Sequence, residues 1–191
     1  PGFLFEASDR MVWYADEAPA AVKRLIPIFR HLTSNVPPSD PRHHLIPATM
    51  ARLALAEGVV RRTEGDHVRA LQCFAQGEEQ LPDRLLSHEW ARINLARAAS
   101  LRGLDRPEEA MECLLLAKQG FARLTDAEGE AKAVWELGNL AYERGEQRRA
   151  VHLLVQAYRG LLKVGSSDQA AVALLAVLGA LIALPRPRAA R

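Results

Sequence analysis

Two cysteines forty residues apart, Cys73 and Cys113, and an adjacent pair, His43-His44, are the side chains from which nucleophilic, disulfide or metal chemistry would have to be built. Neighbouring histidines rarely converge on one ion, and no spaced Cys, His or Asp completes a ligand set around them. A solvated loop is the better reading for that pair. The cysteines hold one position of a repeating pattern whose next copy has Leu153 there, and a position that accepts leucine reads as core. Stacked helices lie about 8–10 Å apart, beyond the roughly 7 Å that a disulfide spans between Cα atoms. The carboxylates Glu78-Glu79, Glu108-Glu109, Glu128 and Glu130 fall at the spacing of solvent faces or early helical turns, where they favour helix starts. His67, His88 and His152 have no partner pattern. Phosphate-loop, dinucleotide, metalloprotease and nucleophile-elbow motifs are all absent. The expectation is a chain without catalytic residues, cofactor or metal.

What the sequence does contain is a repeat. Ala70, Ala110 and Ala150 are forty residues apart, and their neighbours fall into register. Phe74, Leu114 and Leu154 come four places after them, and Gly77, Ala117 and Ala157 three places further. Upstream lie the small residues Gly58, Ala98 and Gly138, which let a second helix approach closely. Turns follow at Gly65-Asp66, Gly103-Leu104-Asp105 and Gly145-Glu146, where glycine tolerates the positive φ that ends a helix. Each unit therefore reads as helix, turn, helix.

The stretch Leu137-Gly138-Asn139-Leu140-Ala141-Tyr142, followed by Gly145 and Ala150, carries the resemblance best. Glu57-Gly58 through Gly65-Asp66, Ala70, Phe74 and Pro82 is close behind. The pattern resembles the tetratricopeptide repeat family over residues 50–164, in a long-period variant such as occurs in bacterial regulatory proteins. The usual period is about 34 residues. The resemblance implies an all-α fold, a right-handed superhelix of stacked helix-turn-helix units. About three full units would be flanked by degenerate N- and C-terminal helices.

It also implies where a partner would bind. In the family the first helix of each unit lines a concave groove, so equivalent residues form columns. Arg52, Arg92 and Lys132 make one basic rail; Arg62 and Arg102 begin a second, with Tyr142 as its third rung. Between them lie Leu55, Leu95 and Trp135, then Val59, Ala99 and Asn139. Such a groove suits an extended or helical peptide with carboxylates and a few large apolar anchors. The competing reading is that these cations solvate a face covered by loops or by the N-terminal segment. The carboxylate clamp of chaperone adaptors is disfavoured, because Val59 and Ala99 stand where asparagine is expected.

The organisation expected is a degenerate leading repeat or helical cap over 1–35, a Pro-rich linker over 36–47, a repeat array over 48–184 and a basic tail over 185–191. In the cap, helices are expected over about 5–14 and from about Asp16, the latter with Ala21, Leu25 and Phe29 at helical spacing and Pro27 kinking or shortening it. The array's helices are expected at about 48–63, 66–80, 84–102, 106–124, 127–144, 147–164 and 167–184. Their caps are read at Ser87 or Asp83, Asp105 with Pro107, Asp126 and Ser167. The tail, with Arg186, Arg188 and Arg191, reads as a frayed end, a junction or a dock for an acidic partner.

With 49% hydrophobic and 25% charged residues the composition is globular. A formal charge of +2 lacks the field that direct nucleic-acid binding needs. The longest uncharged apolar run, 170–184, falls short of a membrane span, and the first residues lack a signal-peptide pattern. Cytoplasm is the default. The function expected is a non-catalytic module binding a protein or peptide, acidic ones included, in its groove, with homo-oligomers left open. The alternative is a ligand- or peptide-sensing regulatory domain of a bacterial transcription regulator.

Overall fold

The computed structural model describes residues 2–81 and 87–184. The basic tail, Pro82 and the cap candidate Asp83 lie outside them. Among the described residues there are nine α-helices, one short 3₁₀ turn and no strand. The helices are α1 (Gly2–Tyr14), α2 (Pro19–Ser34), α3 (Ile46–Thr63), α4 (His67–Glu79), α5 (His88–Gly103), α6 (Pro107–Arg123), α7 (Ala127–Glu143), α8 (Gln147–Lys163) and α9 (Ser167–Ile182). The chain divides into two compact units, Pro1–Cys113 and Leu114–Arg191. None of the helices is long and apolar enough to cross a membrane.

In the first unit α3 is the central element, packing on α4, α5, α1 and α2. Gly58 shows why α3 and α4 lie so close. A Cβ there would stand 2.2 Å from the Phe74 ring, so only glycine admits that side chain. In the second unit α8 packs on both α7 and α9, and Gly138 repeats the device: a Cβ there would come within 2.8 Å of Leu154. The three register alanines, Ala70, Ala110 and Ala150, are each fully buried, as are Phe74 and Leu114, while Leu154 is 1% exposed. The forty-residue register is therefore a burial register.

The helix turns repeat as well. Asp66, Arg106, Asp126, Glu146 and Ser166 each donate a backbone N–H to the carbonyl five residues earlier, at 2.9–3.0 Å. This is the six-residue loop that closes a helix through a left-handed residue. That residue is Gly65, Gly145 or Gly165 at three turns, but Asp105 (φ 56°) and Thr125 (φ 55°) at the others. Gly103, expected to supply the positive φ of the middle unit, does not; Asp105, read as a cap, does. Asp66, Ser87 and Asp126 do cap helices, accepting from the N–H groups of Arg69, Trp90 and Gly129. Ser167 is already helical, and Ser166 holds the cap position with no side-chain bond to the helix's own N–H groups.

The N-terminal region departs further. α2 runs through Pro27 to Ser34 without being shortened. Its buried residues are Val22, Ile26 and Thr33, so the inward stripe lies beside the Ala21–Leu25–Phe29 stripe expected, of which Phe29 alone packs on the core. Within the expected linker, His43–Leu45 form the 3₁₀ turn and α3 begins at Ile46, with Pro47 in its first turn where a missing N–H does no harm.

Candidate functional site: a basic face covered by the first helix

α3 and α5 each present arginines on the face predicted to be a groove, and α1 lies on that face. Arg52 is the best-held of them. Its guanidinium pairs with Glu89 of α5 at 2.7 Å, with the two side chains only 11% and 10% exposed. It also donates to the Phe5 carbonyl at 3.2 Å and sits 3.7 Å from the centre of the Phe5 ring. Arg92 pairs with Asp9 at 2.6 Å, and its guanidinium lies 5.6 Å from the Trp13 ring. Arg62 pairs with Asp16.

The apolar floor is covered too. Leu55 and Val59 are buried, in one cluster with Met11 of α1 and Ala15 just beyond it. Leu95 and Arg102 are half-buried on α5. Of the two readings of the cationic face, the first unit thus fits the one in which the N-terminal segment covers it. The structure brings Arg52, Leu55, Val59, Arg62 and Arg92 together around α1.

α1 is a helix of the chemistry predicted for a ligand: Phe5, Asp9 and Trp13 follow one another at spacings of four, the spacing of one helical face, and Asp16 continues the series in the turn just beyond the helix. Sequence reasoning missed these residues and Glu89. The signal available was acid and aromatic side chains on α1 at the same helical period as the arginines of α3.

Electrostatics set the strength of the buried pair. Burial alone would raise the Glu89 carboxyl, but the Arg52 charge, the Glu89 backbone N–H and the Ser87 hydroxyl outweigh it, leaving the group below its ordinary value of 4.5. The pair is thus ionised near neutrality, and each member is needed to make the other's burial tolerable. A second pair ties α4 to α5: Glu78 accepts from Arg97 at 2.6 Å and from the Trp90 indole N–H at 3.2 Å.

In the second unit α7 carries Lys132, Trp135, Asn139 and Tyr142. Lys132 pairs with Glu128 one turn earlier, at 2.6 Å. Trp135 is half-buried and packs against the cluster of Ala141, Ala150, Leu154, Val177 and Ala180, so it acts first as a packing residue. Its indole Nε1 is buried without an acceptor among the described residues. Asn139 is half-buried, and Tyr142 is 44% exposed.

The other candidates for chemistry are dispersed. Cys73 and Cys113 are free and buried, and burial pushes both thiols up. The His44 ring nitrogen Nδ1 lies 2.9 Å from the Pro41 carbonyl oxygen. Among the described residues no three His, Cys, Asp or Glu side chains gather in a metal-binding group. A cleft of about 170 Å³ between α2 and α3 is lined by Ile26, Pro27 and Val60 with Lys23, Arg30, Glu57 and Arg61. Its charges are already engaged, Arg30 and Arg61 with Glu57 and Lys23 with Glu64. Comparison with protein-family models, with curated proteins and with solved structures returns no match.

Proposed function

We propose that this chain is a non-catalytic interaction module of the tetratricopeptide type, its units stacked as a right-handed superhelix. Its recognition face is formed by α3 and α5, and its partner is a protein segment that folds as an acidic, aromatic-bearing helix. One observation carries this reading: α1 and the turn after it occupy the face and meet its arginines with Phe5, Asp9 and Trp13 of the helix and Asp16 of the turn. Helix-in-groove recognition uses anchors at this helical spacing, and here the chain supplies an example of the ligand.

The seating of α1 suits exchange. Only Ser8 and Met11 within it are buried, while Phe3, Trp13 and Tyr14 are 75%, 56% and 55% exposed. Ion pairs of the exposure of Arg62–Asp16 are worth about 0.2–1 kcal/mol each. A partner helix with larger buried anchors outcompetes such an occupant. The regulatory reading is favoured by the same feature, because a peptide taken up on this face releases α1, and that release is a signal in itself.

The test uses a labelled peptide of residues 2–18 as the probe, titrated by fluorescence anisotropy. Against the parent chain, binding is expected to be weak, since the face is filled. Against the Asp9→Arg, Asp16→Arg variant, whose own helix is repelled, it should tighten roughly tenfold or more and fade as salt rises. Adding Arg62→Glu and Arg92→Glu to that variant should abolish it. A peptide that fails to bind the folded, α1-repelled variant at low salt sinks the proposal.

A further inference from the structure

Arg52 meets α1 differently from the arginine one repeat further on. A guanidinium carries its N–H donors in a planar fork, and one edge of that fork is spent within the face itself. Nε and Nη2 of Arg52 both donate to one oxygen of Glu89, at 2.8 and 2.7 Å. The Ser87 hydroxyl donates to the other oxygen at 2.9 Å and fixes the carboxylate. The remaining nitrogen, Nη1, donates to the Phe5 carbonyl at 3.2 Å. The Phe5 ring lies over the guanidinium with its centre 3.7 Å from the central carbon, on a flat side that in-plane hydrogen bonds leave open. What α1 offers Arg52 is thus a ring and a backbone carbonyl.

Arg92 is offered a carboxylate. A forty-residue shift maps Arg52 onto Arg92 and Glu89 onto Gly129, so the cation recurs at its position of the repeat and the acid does not. Packing explains the glycine: a Cβ on Gly129 would stand 2.4 Å from the Phe121 ring. Arg92 pairs with Asp9 of α1 at 2.6 Å, its side chain 22% exposed against 11% for Arg52. The Trp13 ring lies 5.6 Å from Arg92 and is largely exposed, near the outer limit of about 6 Å for an aromatic ring on a cation. Phe5 is half-buried. One arginine therefore holds an aromatic ring and the other a carboxylate, and the two ligands stand four residues apart on one helix face.

We infer that Arg52 is an aromatic-selecting seat and not a carboxylate receptor, so that the partner helix carries an aromatic residue with an acid four positions after it. This rests on the face of α3 and α5 being the recognition site, and it divides the column of Arg52 and Arg92 into two pockets of different taste. An acid set opposite Arg52 would find the fork edge occupied and would face the Glu89 carboxylate where water hardly reaches. Like charges brought together there are poorly screened and disfavoured. A leucine would fill the space but forgo the attraction between ring and cation. Opposite Arg92 the preference reverses, because an apolar residue would leave that guanidinium without the carboxylate it now holds.

The probe that discriminates keeps charge and composition constant. Two labelled peptides of residues 2–18, one unaltered and one with Phe5→Asp and Asp9→Phe, are titrated by fluorescence anisotropy against the whole chain carrying Asp9→Arg and Asp16→Arg. A rail that reads charge alone binds both alike. The seat should weaken the exchanged peptide roughly tenfold or more. Adding Glu89→Gln to the chain supplies the converse measure: with the Arg52 charge released, the preference for the unaltered peptide should shrink severalfold, circular dichroism confirming that the helices persist. Equal binding of the two peptides overturns the inference and leaves the recognition face standing. A preference that the folded Glu89→Gln variant retains in full also overturns it, since Glu89 would then not be what excludes an acid. If neither peptide binds, the recognition face itself is wrong and the seat falls with it.

Discussion

Arg52 and Glu89 bind two functions into one contact. Glu89 neutralises a guanidinium that is 11% exposed, and the same guanidinium holds the Phe5 ring and carbonyl. Breaking a buried pair by removing one partner costs about 3–5 kcal/mol, because the other charge stays buried. Glu89→Gln should therefore destabilise the first unit by about 3 kcal/mol near neutral pH. The pH dependence follows from the direction of the shift. Glu89 is lowered below 4.5 in the folded chain, so its contribution is present above the unfolded value and is lost as pH falls through the folded one. Melting curves of parent and Glu89→Gln should differ most near pH 7 and converge under acid conditions, where the parent's carboxyl is also neutral. A gap that stays constant into the acid range would show that the pair adds nothing through its charge.

At the scale of the element, helix existence and extent were legible, and the details of turns and faces were less so. α7 and α8 start where their sequence patterns place them, and α3 begins two residues early because Pro47 is tolerated in a first turn. The inward stripe of α2 was misplaced because the expected stripe of Ala21, Leu25 and Phe29 is as hydrophobic as its neighbour through Val22 and Ile26; periodicity cannot choose between adjacent stripes when both are hydrophobic. The left-handed turn residue escaped detection where it is not glycine. Asp105 tolerates that conformation through its short polar side chain, but β-branched Thr125 is an uncommon occupant and strained there. Thr125→Gly should relieve that strain and raise stability by about 1 kcal/mol, although it gives up the hydrogen bond from its hydroxyl to the Leu124 carbonyl. Chemical denaturation would measure it, and a loss of stability would mean that the strain is already offset.

Across the whole chain, the repeat was the legible part and the site was not. A register of alanines reports burial because each copy answers the same steric demand: Ala70 and Ala150 are fully buried, in the units of Gly58 with Phe74 and Gly138 with Leu154. That Arg52, Arg92 and Lys132 hold one position of the repeat follows equally from the register. What covers Arg52 and Arg92 does not, because α1 lies outside the repeat and its pairing with the face depends on contacts between residues as far apart as Asp9 and Arg92. No local pattern encodes such a contact. The same register gives a test that separates buried from exposed positions. Ala70→Phe and Ala150→Phe force a ring into fully occupied space, and overpacking costs about 1–3 kcal/mol. Each should lower its own unit's denaturation midpoint. Ala171→Phe, on the exposed face of α9 at the next step of the repeat beyond Ala131, should cost little, since that position touches solvent. If all three melt like the parent, the forty-residue register does not describe packing, and the correspondence between α7 and α9 fails with it.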